Sequence, residues 1–135
     1  MKNADLLYQH ALNRLASTGF DALSAQEGDL ATLWHLEAGI TNGGLAHYYS
    51  GRGGDLAFHA PEALGRIGAT EKADIVRAAN ALFGVSGPSR DRSQRLAALK
   101  TLSAESRASL DTLEDRYLQD GEDVDELVER WLGQT

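Results

Sequence analysis

Apolar residues recur along this chain at intervals of three and four, and the rhythm runs through nearly its whole length. That spacing stacks side chains on one face of an α-helix, while alternating strand patterns and β-branched runs joined by Asn-Gly hairpins do not occur. The pattern predicts an all-α fold, a single compact domain of seven or eight short helices spanning residues 1–135.

The first helix is expected over about residues 4–17, with Leu7, Ala11 and Leu15 on one face beside Tyr8 and Leu12 and with Gly19 as its stop. Ser24 followed three residues later by Glu27 is a capping box, so the next helix starts there and carries Leu30, Leu33, Trp34 and Ala38 inward. Asn42-Gly43-Gly44 ends it as a compact corner in which Asn caps backbone groups and glycine permits close approach. A short aromatic helix from Leu45 to Ser50 follows; Tyr48 and Tyr49 are adjacent on it, which sends one of them toward a groove.

Gly51-Arg52-Gly53-Gly54 reads as a flexible break, either a hinge or a tight turn. Beyond it Leu56, Ala60, Ala63, Leu64 and Ile67 form a helical stripe interrupted by Pro61, which requires either a kink or a new helix with proline in its first turn. Thr70 is placed to cap a helix bearing Ile75, Val76, Ala79, Leu82 and Phe83, closed by Gly84. After a turn at Ser86-Gly87-Pro88, further amphipathic stretches carry Leu96 and Leu99, then Leu110, Leu113 and Tyr117, then Val124, Leu127, Val128 and Trp131. With Gly121 as the one strong break, the final two are expected either as separate helices or as one bent helix.

Composition narrows the function classes. Hydrophobic residues at 42% and charged residues at 24% are ordinary for a globular domain, so neither disorder nor a membrane protein is expected. No apolar run approaches the ~20 residues of a membrane span, and the opening Met1-Lys2-Asn3-Ala4-Asp5 lacks a secretory signal, which makes the cytoplasm the expected location. The absence of cysteine excludes disulfides, thiol nucleophiles and thiolate metal sites. A net charge of −7 argues against direct nucleic-acid binding and favours a basic partner.

The sequence offers little for catalysis. His10, His35, His47 and His59 show no metal-ligand spacing, and no nucleophile-elbow pattern surrounds any serine. The glycines at 51, 53 and 54 lack the Lys-Ser/Thr ending of a phosphate loop and are not preceded by a strand. No enzyme, cofactor or metal site is expected; a small metal-dependent hydrolase using His47, His59 and nearby acids ranks last.

Charge is distributed unevenly. Residues 1–89 hold nine acids and six bases, residues 90–110 two acids and five bases, and residues 111–135 nine acids and two bases. The nine are Asp111, Glu114, Asp115, Asp120, Glu122, Asp123, Asp125, Glu126 and Glu129. On a helix the 18 steps from Asp111 to Glu129 span about 27 Å, or one acid per ~3 Å, near the ~3.4 Å phosphate spacing of one DNA strand. Two ordinary readings compete: a solvated helix face, or internal neutralisation by Arg90, Arg92, Arg95, Lys100 and Arg107.

The run from Leu36 to Tyr49, with Asn42-Gly43-Gly44 leading into an aromatic helix, resembles the signature of the bacterial DNA-mimic-protein-nineteen-like family. Ala63 to Ala69, Ile75 to Phe83 and Leu110 to Tyr117 resemble that family's later blocks in order and spacing, and the likeness runs from about residue 25 to residue 132. Leu45 and His47 stand where the family usually has Phe and Gln. The resemblance implies an all-helical domain that imitates duplex DNA with surface carboxylates and so occupies the DNA-binding surface of a transcription factor or other DNA-binding protein. On that expectation the nine tail acids are the partner-binding surface, and Asn42, Gly43 and Gly44 a structural signature. An immunity-type inhibitor of a basic nuclease would use the same charge, and a homodimer would suit a symmetric partner.

Overall fold

The computed structural model describes residues 3–134; Met1, Lys2 and Thr135, part of the span expected for the domain, lie outside the described residues. Eight α-helices occur among the described residues: α1 (Asn3–Thr18), α2 (Ala25–Gly43), α3 (Leu45–Ser50), α4 (Ala60–Arg66), α5 (Thr70–Ala81), α6 (Arg92–Lys100), α7 (Ala104–Gln119) and α8 (Val124–Gly133). Two 3-10 segments, Phe20–Ala22 and Arg52–His59, join them, and no strand is present among those residues. The all-α fold expected from the periodicity is the one observed.

Helix α2 is the axis of the domain and touches α1, α3, α4 and the longer 3-10 segment. The capping box forms as the sequence implies: Glu27 N donates to Ser24 Oγ at 3.1 Å and Ser24 N donates to Glu27 Oε1 at 2.9 Å. Leu30, Leu33, Leu36 and Ile40 are buried along α2. Trp34, expected inward, is instead 42% exposed, because the buried stripe follows 30, 33, 36 and 40 and turns residue 34 aside. Ala38 is half-buried. On α1 the buried face is Ala4, Tyr8 and Ala11, with Leu12 and Leu15 packed at its edge, whereas Leu7 is exposed.

Tyr48 and Tyr49 are both buried, against the expectation that one would face a groove. Helix α3 is six residues long and packs against α2, α6, α7 and the 3-10 segment; Ala46 and His47 take its exposed side, and both tyrosine rings turn into these neighbours. Of the two readings of the glycine-rich stretch after it, the turn is observed and the hinge is not: residues 52–59 form packed 3-10 turns, and a Cβ on Gly54 would lie 2.7 Å from Arg95 Nε and 2.8 Å from the Tyr48 carbonyl oxygen.

Pro61 sits in the first turn of α4, where its missing N–H costs nothing. Thr70 is the first residue of α5 and makes no side-chain cap; Glu122 accepts from Glu71 N at 3.2 Å and Lys72 N at 2.9 Å in its stead. On α6 the buried residue is Arg95, not Leu96 or Leu99, which are half-buried. Its guanidinium donates to the carbonyls of Tyr49, Ser89 and Gly51 and to Asp55 Oδ1, at 2.5, 2.8, 2.8 and 2.8 Å. The chain between Gln119 and Val124 is not helical, so α7 and α8 are separate; α7 packs on α5 and α8 on α1.

Candidate partner-binding surface

The nine tail acids do not form one helical ladder. Asp111, Glu114 and Asp115 lie on α7, Asp120, Glu122 and Asp123 in the connection, and Asp125, Glu126 and Glu129 on α8. Nor does the basic segment neutralise them. Arg90 pairs with Asp21, Arg95 with Asp55, Arg92 donates to the Ser50 carbonyl, and Arg107 donates to the carbonyls of Leu99, Lys100 and Leu102. Among the described residues no ion pair joins the basic stretch to a tail acid.

Several of the acids hold the fold together. Glu114 Oε1 accepts from Leu45 N at 2.6 Å, Glu129 Oε1 accepts from Ala4 N at 3.1 Å, and Asp123 caps α8 through Glu126 N at 3.2 Å. Asp120 pairs with the buried Lys72 at 3.2 Å; burial pushes its carboxyl up, but the Glu122 amide and the Lys72 ammonium outweigh that and hold it below its ordinary range. Glu126 pairs with Arg130 on the next turn. Asp111, Asp115 and Asp125 are exposed and make no hydrogen bond or ion pair among the described residues.

The structure assembles a different acidic surface from parts distant in sequence. Tyr8 of α1 and Glu37 of α2 lie within the field of Asp5, Asp123, Asp125 and Glu129, contributed by α1, α8 and the residue that caps it. Burial raises the Tyr8 hydroxyl well above its ordinary value, and Asp125, Glu37, Asp5 and Glu129 push it further. Burial likewise raises the Glu37 carboxyl, against the Tyr117 hydroxyl and Lys72, while Asp125 and Asp123 add to the rise. Tyr117 donates its hydroxyl to Glu37 Oε2 at 2.5 Å, and Lys72 Nζ stands 4.7 Å from the Tyr117 ring centre.

Asp5 and Glu37 were not singled out from the sequence. One signal did exist: Glu37 falls at i+7 from Leu30 and i+4 from Leu33, an acid on the buried stripe, and so was marked to meet another helix.

At the Asn42-Gly43-Gly44 corner, Gly44 has φ +92°, and a Cβ there would collide with the Glu114 carboxylate. A Cβ on Gly43 would stand 2.6 Å from His47 Cγ. The Asn42 side chain is exposed and makes no hydrogen bond among the described residues, so the capping expected of it is performed by Glu114 from α7. The histidines of the hydrolase reading are dispersed in role: His47 is exposed, while His59 offers Nε2 to Asp29 at 2.7 Å and Nδ1 to Glu62 at 3.0 Å. Those two carboxylates address opposite edges of the ring and do not converge on one point. Among the described residues no group of three His, Asp or Glu is arranged to hold a metal ion.

The model of the DMP19-like protein family matches residues 21–134, which include α2 to α8, the corner and the Glu114 that closes it. The chain belongs to the DMP19-like protein family. No curated protein and no solved structure matches it. The part matched by the DMP19-like model contains all nine tail acids and Glu37, but α1, which supplies Asp5 and Tyr8, precedes it. Among the described residues of this DMP19-like chain no helix is long and apolar enough to cross a membrane.

Proposed function

We propose that this DMP19-like chain is an acidic protein-binding module that imitates duplex DNA and occupies the basic surface of a DNA-binding protein. The observation that carries the reading is the convergence of Asp5, Glu37, Asp125 and Glu129 on Tyr8 and of Asp123 and Asp125 on Glu37, with no arginine or lysine among the described residues ion-paired to any of the five acids. Carboxylates, like phosphates, are pure acceptors, and a patch drawn from three elements presents them over an area where a single helix would give only a line. Asp111 and Asp115 on α7 are likewise exposed and unpaired among the described residues. The partner class follows from this chemistry: an Arg- and Lys-rich surface shaped for a phosphate backbone.

The test is capture from a native cell extract at low and high salt, comparing the native chain with one carrying Asp5→Asn, Asp123→Asn, Asp125→Asn and Glu129→Gln. Asn and Gln retain the acceptors used at the α8 cap and at Ala4 N, so the fold is kept while the charge is removed. The expected result is a DNA-binding protein retained by the native chain, released by salt and displaced by duplex DNA, and lost with the variant. Equal capture by both chains, or a complex indifferent to duplex DNA, overturns the reading.

A further inference from the structure

Between α1, α2 and the two 3-10 segments lies a half-open cavity of about 600 Å³, within the range of small-molecule sites. Leu12 and Leu15 of α1, Phe20, Trp34 and Leu56 give it an apolar wall. Trp34 is the largest apolar side chain that α2 leaves in solvent, because the α2 core stripe passes it by.

The polar groups of this cavity differ in kind from those of the rest of the molecule. On a chain of net charge −7, two arginines, Arg52 and Arg90, line it. Arg90 is occupied, paired with Asp21 at 3.2 Å and lying over the Phe58 ring at 4.5 Å. Arg52 is exposed and has no hydrogen bond or ion pair among the described residues. The Asp55 carboxylate in the same wall is engaged at 2.8 Å by the buried Arg95. His35 meets Trp34 edge-on at 5.2 Å, and its ring nitrogens have no hydrogen-bond partner among the described residues. Gly53 lies against it, where a Cβ would stand 2.9 Å from His35 Cβ, so the imidazole is held in place from behind. Burial lowers the proton affinity of that ring, with Asp55 opposing, which leaves His35 a neutral donor at neutral pH.

We propose that this cavity is a binding site for a small carboxylate with an apolar body, its chain or ring against Trp34, Phe20 and Leu15 and its carboxylate on Arg52, with His35 as a second donor. The commitment to an anion rests on Arg52, the cation of the wall without a partner, and on the prior engagement of the Asp55 carboxylate. A neutral apolar ligand would leave Arg52 unused, and a cationic one would oppose it. The site shares no residue with the acidic surface around Tyr8, so the proposal stands or falls separately from the function proposed above.

The experiment titrates the full chain at neutral pH with octanoate, octanol and octylamine, following amide and indole NMR signals. Octanoate is expected to shift the Trp34 indole and the amides of Leu15 and His35 saturably, and to bind about tenfold more tightly than octanol, as a charge-assisted hydrogen bond provides. Arg52→Gln is expected to bring octanoate to within about twofold of octanol while leaving octanol itself unchanged. Because Arg52 is exposed and unpaired, this variant keeps the fold, which its own spectrum verifies. No saturable shift with octanoate, shifts that map away from Trp34, equal binding of the alcohol and the acid, or discrimination surviving Arg52→Gln would each overturn the proposal.

Discussion

Glu114 Oε1 accepts a hydrogen bond from the Leu45 amide at 2.6 Å, so the start of α3 is capped by a side chain that enters the chain 69 residues later. The contact explains the second glycine of the corner twice over. Gly44 needs its φ of +92° to turn from α2 into α3, and any Cβ there would occupy the place of the carboxylate. Glu114→Ala is therefore expected to lower unfolding stability by about 1–2 kcal/mol, with Glu114→Gln retaining most of it. Gly44→Ala should cost more in the native background than in Glu114→Ala, because the collision is absent from the latter. Urea midpoints of the four chains check this, and strict additivity would remove the collision from the account.

Arg95 ties α6 to the end of α3 and to the 3-10 segment through three hydrogen bonds and to the preceding Ser89 carbonyl through a fourth, and it is completely buried. Arg95→Met would leave the carbonyls of Tyr49, Gly51 and Ser89 without their donor. The expected loss is about 3–5 kcal/mol, a large part of the stability of an ordinary domain, with Arg95→Lys recovering only a fraction because an ammonium cannot fan out to the same acceptors. Denaturant unfolding measures both, and a loss below about 1 kcal/mol for methionine would show that the guanidinium is not holding these elements.

What could be read from the sequence divides by distance along the chain. The Ser24–Glu27 box depends on neighbours within a turn and formed as read, and Pro61 took the second of its two expected places, the first turn of a new helix. Arg95 looked like one charge among several on a solvated stretch, and Gly54 like slack in a loop; each acquires its meaning from the other, 41 positions apart. The tail acids were visible as a group, but which of them serve the fold was not, since Glu114, Glu122 and Glu129 bond to amides 50 or more residues away. The acidic surface was half legible for the same reason: its α8 members lie in the tail, while Asp5 and Glu37 join them only through the packing of α1 and α2.

Glu37 gives a pH dependence with a definite sign. Burial raises its carboxyl in the folded chain above the ordinary carboxylate range, beyond what the Tyr117 hydroxyl and Lys72 offset. A raised folded value means that the native state holds the proton more tightly than the unfolded chain, so Glu37's contribution is fully present below the ordinary range and is lost as pH rises through the folded value. Glutamine cannot ionise, yet it still offers an acceptor to Tyr117. Measured from about pH 3.5 to about pH 7, Glu37→Gln should match the native chain at the acid end and gain on it as pH rises. A difference that does not change with pH, or one in which the native chain gains, would contradict the assigned direction. Taking the difference between the two chains removes the opposite trend from Glu27, whose carboxyl is held low by the Ser24 amide, and from Asp120.

Tyr48 and Tyr49 are adjacent, equally buried and differently satisfied. The Tyr49 hydroxyl donates to Asn80 Oδ1 at 2.7 Å, and Asn80 Nδ2 donates onward to the Ala57 carbonyl at 2.8 Å, so one hydroxyl links α3, α5 and the 3-10 segment. The Tyr48 hydroxyl has no hydrogen-bond partner among the described residues, while its ring lies against Gly39, where a Cβ would stand 2.9 Å from Tyr48 Cδ1. Removing each hydroxyl should therefore act in opposite senses. Tyr49→Phe leaves a buried amide short of a donor and is expected to cost about 1–2 kcal/mol. Tyr48→Phe removes a desolvated polar group while keeping the ring, and is expected to be neutral or to stabilise by up to about 1 kcal/mol. Paired thermal or urea unfolding of the two variants decides the matter: equal losses would mean that the Tyr48 hydroxyl is bound as firmly as its neighbour's, and the asymmetry between the two tyrosines would be gone.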